Sequence, residues 1–112
     1  MAAVIADVLR SLAFGAISGS YATVGTPLTV NWRVFRITNN TNGDLFISLD
    51  GTNNNFFVPA SSFVLYDLSA NVAPVMQSDT FVLQIGTQFY AKQSTAPSSG
   101  AVYIEGLYAR GV

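Results

Sequence analysis

The sequence predicts an all-β fold: a single antiparallel β-sandwich or jelly roll of seven or eight short strands with an extended N-terminal arm. Three observations predict it. Apolar residues alternate with polar ones in short runs, the period of a half-buried strand. Dense Asn/Gly/Asp turns separate those runs. No stretch holds a long helical spacing. The segment from Ile37 to Leu68 shows all three: the Asn40–Asp44 turn cluster, the alternating strand Leu45–Leu49, and a second turn from Asp50-Gly51 through Asn53-Asn54-Asn55.

Taken in order, residues 1–20 form the arm and residues 21–112 the sandwich domain. In the arm Ala2, Ile5, Val8, Leu9 and Leu12 fall at helical spacing, whereas Leu12, Phe14 and Ala16 alternate; we read an extended arm entering a strand near Leu12. Gly25-Thr26-Pro27 is a turn, because proline fixes its own φ and disfavours helix before it. Leu28 to Thr38 reads as one long strand, with Leu28, Val30, Trp32 and Val34 on one face and Phe35 and Ile37 on the other. A strand apolar on both faces needs two covers, here its own core and either the arm or a neighbouring subunit. Phe56-Phe57-Val58 is a short strand ended by Pro59. Ser62 to Leu68 follows, with Val64, Tyr66 and Leu68 alternating against Phe63, Leu65 and Asp67. Val72–Met76 is a connecting loop, Phe81 to Ile85 a strand broken at Gly86-Thr87, and Gln88 to Lys92 another. Ala101 to Tyr108 pairs back across the Thr95–Gly100 loop.

Composition narrows the function. The chain has 112 residues, half of them hydrophobic and only 10% charged, with a formal net charge of −1. A surface short of Lys and Glu has the composition of a buried protein–protein interface. The five basic residues (Arg10, Arg33, Arg36, Lys92 and Arg110) are dispersed, so no stripe exists to neutralise phosphates and nucleic acid is not the expected partner. Asp7 and Arg10 interrupt the apolar N-terminus, which therefore reads as neither signal peptide nor membrane span. Asn39-Asn40-Thr41 fits the glycosylation pattern, a match expected to be accidental without a secretory route.

Chemistry is sparse. Histidine and cysteine are both absent, which removes the usual neutral-pH base, thiolate catalysis and nitrogen or sulfur metal ligands. Asp50 with Asn53, Asn54 and Asn55 is the best oxygen-ligand cluster for calcium. It lacks the spaced acidic series of a calcium loop and reads better as an Asx-rich hairpin tip. Asp44, Asp50, Asp67 and Glu105 could supply a glycosidase pair, yet nothing in the sequence brings two together. We therefore expect no catalytic residues, no metal and no cofactor. Phe56 and Phe57 cannot both face inward from one strand, so one belongs on the surface beside the Asn-rich tip. The residues expected at an interface are Leu9, Leu12, Phe14, Trp32, Phe56, Phe57 and Tyr103.

The run NNTNGDLFISLDGTNNNFFVPASSFVLYDLSAN, followed by GTQFYAKQSTAPSSGAVYIEGLYA, resembles small virion proteins of tailed bacteriophages over about Tyr21 to Tyr108. The resemblance implies a β-sandwich or jelly-roll subunit that decorates the capsid or sits in the head–tail and tail region. It brings no catalytic residues. The expected function is then a non-enzymatic capsid decoration or cement protein, located in the virion. Its partners would be the major capsid protein or neck and tail proteins, and copies of itself, with a trimer the implied oligomer. A head–tail or tail accessory subunit and a carbohydrate-binding module are the alternatives.

Overall fold

The computed structural model describes residues 2–68 and 82–111. Their strands are β1 (Ala2–Ala6), β2 (Arg10–Ala13), β3 (Ala22–Val24), β4 (Val34–Thr41), β5 (Leu45–Ser48), β6 (Phe56–Val58), β7 (Ser62–Asp67), β8 (Phe89–Gln93) and β9 (Gly100–Gly111). The fold is all-β, two antiparallel sheets packed as a sandwich. One sheet runs β1-β9-β4-β7, with β2 also on β9; the other runs β3-β8-β5-β6. Apart from a 3-10 turn at Phe14–Ala16, the described residues contain no helix.

β9 organises the first sheet. One of its edges pairs with β4 from Gly100↔Thr41 to Leu107↔Val34. Its other edge is shared, β2 taking Ala101 to Ile104 and β1 taking Leu107 to Gly111. Residues 2–6 and 10–13 are therefore not a separate arm: they complete the sheet. The strand expected near Leu12 is β2, but the alternation beyond it becomes the 3-10 turn rather than more strand.

The long strand expected from Leu28 to Thr38 is two pieces of opposite phase. Before Arg33 the even residues Leu28 and Trp32 are buried; after it the odd residues Phe35 and Ile37 are. The chain bends at Arg33, whose backbone donates to Leu107 O and accepts from the Leu68 N–H. Apolar residues on both nominal faces thus report a change of face, and no second cover is needed. Leu28 to Trp32 instead runs beside residues 83–87, with Trp32 and Leu83 exchanging backbone hydrogen bonds at 2.9 and 2.8 Å. Of the strand expected from Phe81 to Ile85, only Leu83 forms a bridge, Ile85 is exposed, and Phe81 lies outside the described residues. The loop expected at Val72–Met76 also lies outside them.

Between the sheets Val24, Leu45, Ile47, Val58, Phe89 and Ala91 meet Phe35, Ile37, Val102 and Ile104, all buried. Trp32, Phe35 and Phe89 form a chain of ring contacts, each step 5.8 Å between centroids. Gly106 is small because the Trp32 ring occupies the space a Cβ would need. The Asn40–Asp44 cluster turns later than its composition suggests. β4 runs on through Thr41 because buried Asn39 donates from Nδ2 to Gly43 O and Val58 O while its Oδ1 accepts from the Thr41 N–H and hydroxyl. A side chain so enclosed cannot be a glycan acceptor, in keeping with an accidental glycosylation pattern.

One polar cluster ties the N-terminal strands to the core. Buried Arg10 donates from Nε to Thr26 O (2.7 Å), from Nη2 to Pro27 O (3.2 Å), and from Nη1 to Val8 O (3.0 Å) and Asp7 Oδ2 (3.2 Å). Its guanidinium lies 5.1 Å from the centre of the Trp32 ring. The Trp32 indole donates to the same Asp7 Oδ2 at 2.8 Å. Burial alone would raise the Asp7 carboxyl, but the Val8 N–H, the indole and Arg10 outweigh it and hold it below the usual carboxylate range.

The clamp makes stability acid-sensitive. A carboxyl depressed in the folded state contributes stability above its unfolded value, about pH 3.9, and loses it as pH falls through the folded value. Asp7→Asn should lose about 2 kcal/mol at pH 7 and converge on the wild type as pH falls through the depressed folded value, read by denaturant titrations followed on the single tryptophan. A constant gap between the two proteins across that range would show that the Asp7 charge contributes nothing. Gly106→Ala should cost about 3 kcal/mol in the same titration, since the Trp32 ring cannot withdraw from a full core.

Candidate docking faces

Each sheet turns one face to its partner and one outward. On the outer face of the first sheet, register aligns Asp67, Val34 and Leu107 in one row, Leu65, Arg36 and Glu105 in the next, and Phe63, Thr38 and Tyr103 in a third. This face is largely apolar and open. Leu65 is 59% exposed, Phe63 57% and Leu9 53%, with Val4 more exposed still. At its centre Arg36 donates from Nε and Nη2 to Glu105 Oε1 at 2.9 and 2.6 Å, both side chains partly in water. A shallow groove of about 490 Å³ crosses it, bounded by Ala6, Leu9 and Leu107 on the β1 side and by Phe63 and Leu65 on the β7 side.

The outer face of the second sheet differs. Phe57, Phe46 and Lys92 align across β6, β5 and β8. The Phe46 and Phe57 rings meet at 5.4 Å, tilted by 56°. Lys92 Nζ stands 4.8 Å from the Tyr21 ring centre and 5.8 Å from that of Phe46. Lys92 thus takes one face each of the Tyr21 and Phe46 rings. Tyr21 donates to Asn54 Oδ1 and so pins the Asn-rich tip to this side.

That tip is closed on itself. Asp50 Oδ1 accepts from the Ser48 hydroxyl and the Thr52 and Asn53 N–H groups, and Oδ2 from Asn53 Nδ2. These donors hold its carboxyl far below the usual range. Its lone pairs serve the turn, as the hairpin-tip reading expects. No group of three potential acidic, histidine or cysteine ligands occurs among the described residues. Glu105 on β9 is tied to Arg36 on β4, and Asp44 accepts from the Ala60 N–H of the β6–β7 turn, so each carboxylate links two separate segments. Among the described residues no helix is long and apolar enough to cross a membrane.

The residues expected at an interface do not form one patch. Leu9 and Tyr103 lie on the outer face of the first sheet, Tyr103 half-buried. Phe57, 47% exposed, belongs to the second sheet's outer face, while Phe56 turns inward against Phe35 and Tyr66, as strand alternation requires. Phe14 is exposed on the 3-10 turn, and Leu12 packs half-buried against the core. Trp32 is a correction: it is fully buried, so it cannot reach a partner, and its indole is consumed by Asp7. The face also contains residues the expectation lacked, chiefly Phe63, Leu65 and Arg36. The signal was present in β7, which alternates apolar with apolar. No protein-family model and no curated protein matches the chain.

Proposed function

We propose that this chain is a non-enzymatic structural subunit of a tailed-phage virion, a decoration or cement protein that stabilises the shell through protein–protein contacts. One observation carries the reading: the outer face of the first sheet leaves Phe63, Leu65, Leu9 and Val4 in water around the Arg36–Glu105 ion pair. Contiguous apolar surface of this kind marks an interaction site. Burying it returns roughly 25 cal/mol per Å², and a standard interface of about 1,600 Å² offsets the cost of ordering two partners. The low charge of the chain supports the same reading, since few ions would have to be desolvated on docking. The virion assignment itself rests on the resemblance of the Asn39–Asn71 and Gly86–Ala109 runs.

Mass spectrometry of purified particles encoded by the same genome tests the proposal. The protein should co-purify with the particles at a copy number comparable to a multiple of shell symmetry, and cryo-electron microscopy should place it on the shell exterior. Localisation to the neck or tail would favour the accessory-subunit reading. Absence from particles while the protein is present in infected cells would end both.

A further inference from the structure

From this docking reading we infer that the outer face of the first sheet pairs with the same face of a second copy about a two-fold axis, making a symmetric dimer the building unit. The inference rests on the face being an interface, and it adds the partner. Three features of the face argue for self-recognition.

The first is size. β9 runs for 12 residues and lies in a row of four strand positions. At about 3.3 Å per residue and about 4.8 Å between strands, β9 (12 residues) is about 40 Å long, β4 (8 residues) about 26 Å and β7 (6 residues) about 20 Å, so the face covers on the order of 600 Å². Specific interfaces begin at about 600 Å² from each partner, a size that one such face against another reaches.

The second is charge. At the centre of the face stand one cation and one anion, Arg36 and Glu105, side by side across the β4–β9 register. Asp7 at one end is already paired with Arg10, and Asp67 at the rim is engaged in an interaction of its own. A two-fold axis running along the strands, midway between β4 and β9, stacks each β4 over its partner's β9. Every Arg36 then faces a partner's Glu105, and no like charges meet. The one guanidinium at the centre of the face, Arg36, is already neutralised by Glu105, which makes a poor site for phosphate polymers or an anionic membrane.

The third is shape. The same axis carries β7 of each copy onto the β1–β2 side of the other. Leu65, which stands out from β7 in the row of Arg36 and Glu105, arrives over Leu9 across the groove, and Phe63, one row along, over Ser11. Two sheets stacked in this way, about 10 Å apart with strands nearly aligned, repeat the packing the sandwich already uses inside.

Sedimentation velocity from low to high micromolar protein tests the dimer. The wild type should be a concentration-dependent dimer. Leu65→Glu and Arg36→Glu, both at exposed positions, should each weaken dimerisation by about tenfold or more, by burying or opposing like charges. The exchange pair Arg36→Glu with Glu105→Arg should restore it, which a merely destabilised variant would not do. Phe57→Glu, on the other sheet, should leave it within about twofold of wild type. A monomer at every concentration, a trimer, or a dimer sensitive to Phe57→Glu and indifferent to Leu65→Glu would overturn the inference. A monomer that nevertheless co-purifies with particles would leave the structural-subunit reading standing. A dimer absent from particles would sink that reading and spare this inference.

Discussion

The fold depends on how two short N-terminal strands are held against the long strand β9. They meet it at different places, with Asp7, Val8 and Leu9 between them, and short edge strands have little stability of their own. The interaction that fixes the connection is the buried set of Asp7, Arg10 and Trp32. Arg10 satisfies itself on backbone carbonyls of the Thr26-Pro27 turn and on Asp7, while Asp7 also receives the Trp32 indole. Nothing charged is left uncompensated in the interior, which is the condition for such a pair to persist there. The stem of Arg10 fills the space beside Gly25, and the Trp32 ring fills that beside Gly106, so turn, strand and clamp fit in one arrangement.

The functional face follows from that clamp. By turning Arg10 inward, β2 directs Leu9 and Ser11 outward, because neighbours in a strand face opposite sides. Leu9 and Ala6 then form one wall of the groove whose other wall is β7. The result is a flat apolar surface with its charges already neutralised. Such a surface is poor at attracting a strongly charged ligand and well suited to a partner of the same composition. The second sheet's face is partly filled by its own Lys92, Tyr21 and Asn54. The two sides of the sandwich therefore offer different contacts.

Most of the strands were legible in the sequence because their alternation and their Asn/Gly turns are local properties. β5, β6, β7 and β8 lie close to where pattern alone puts them. The failures share a cause in long-range contacts. The bend at Arg33 is imposed by hydrogen bonds to Leu107 and Leu68, far away in sequence, so the segment before it read as a continuation of β4. The extension of β4 through Thr41 depends on Asn39 reaching Gly43 and Val58. The N-terminal segment read as an arm because its pairing partner is at the opposite end of the chain. The site was legible only in part. Alternation put one of Phe56 and Phe57 on the surface without saying which, and Trp32 looked equally available until Asp7 and Gly106 enclosed it. Which of the two apolar rows of β7 faces the core is decided by the register with β4, which no local pattern encodes.

Hydroxyl-radical footprinting of the native protein, dilute and then assembled, tests the claim that the outer face of the first sheet is the contact. Oxidation is read residue by residue. Assembly should strongly protect Phe63, Leu65 and Leu9 and leave Phe14 as reactive as in the dilute protein, since it stands on the 3-10 turn away from the groove. Phe63 and Leu65 remaining fully reactive in the assembled state would contradict the account.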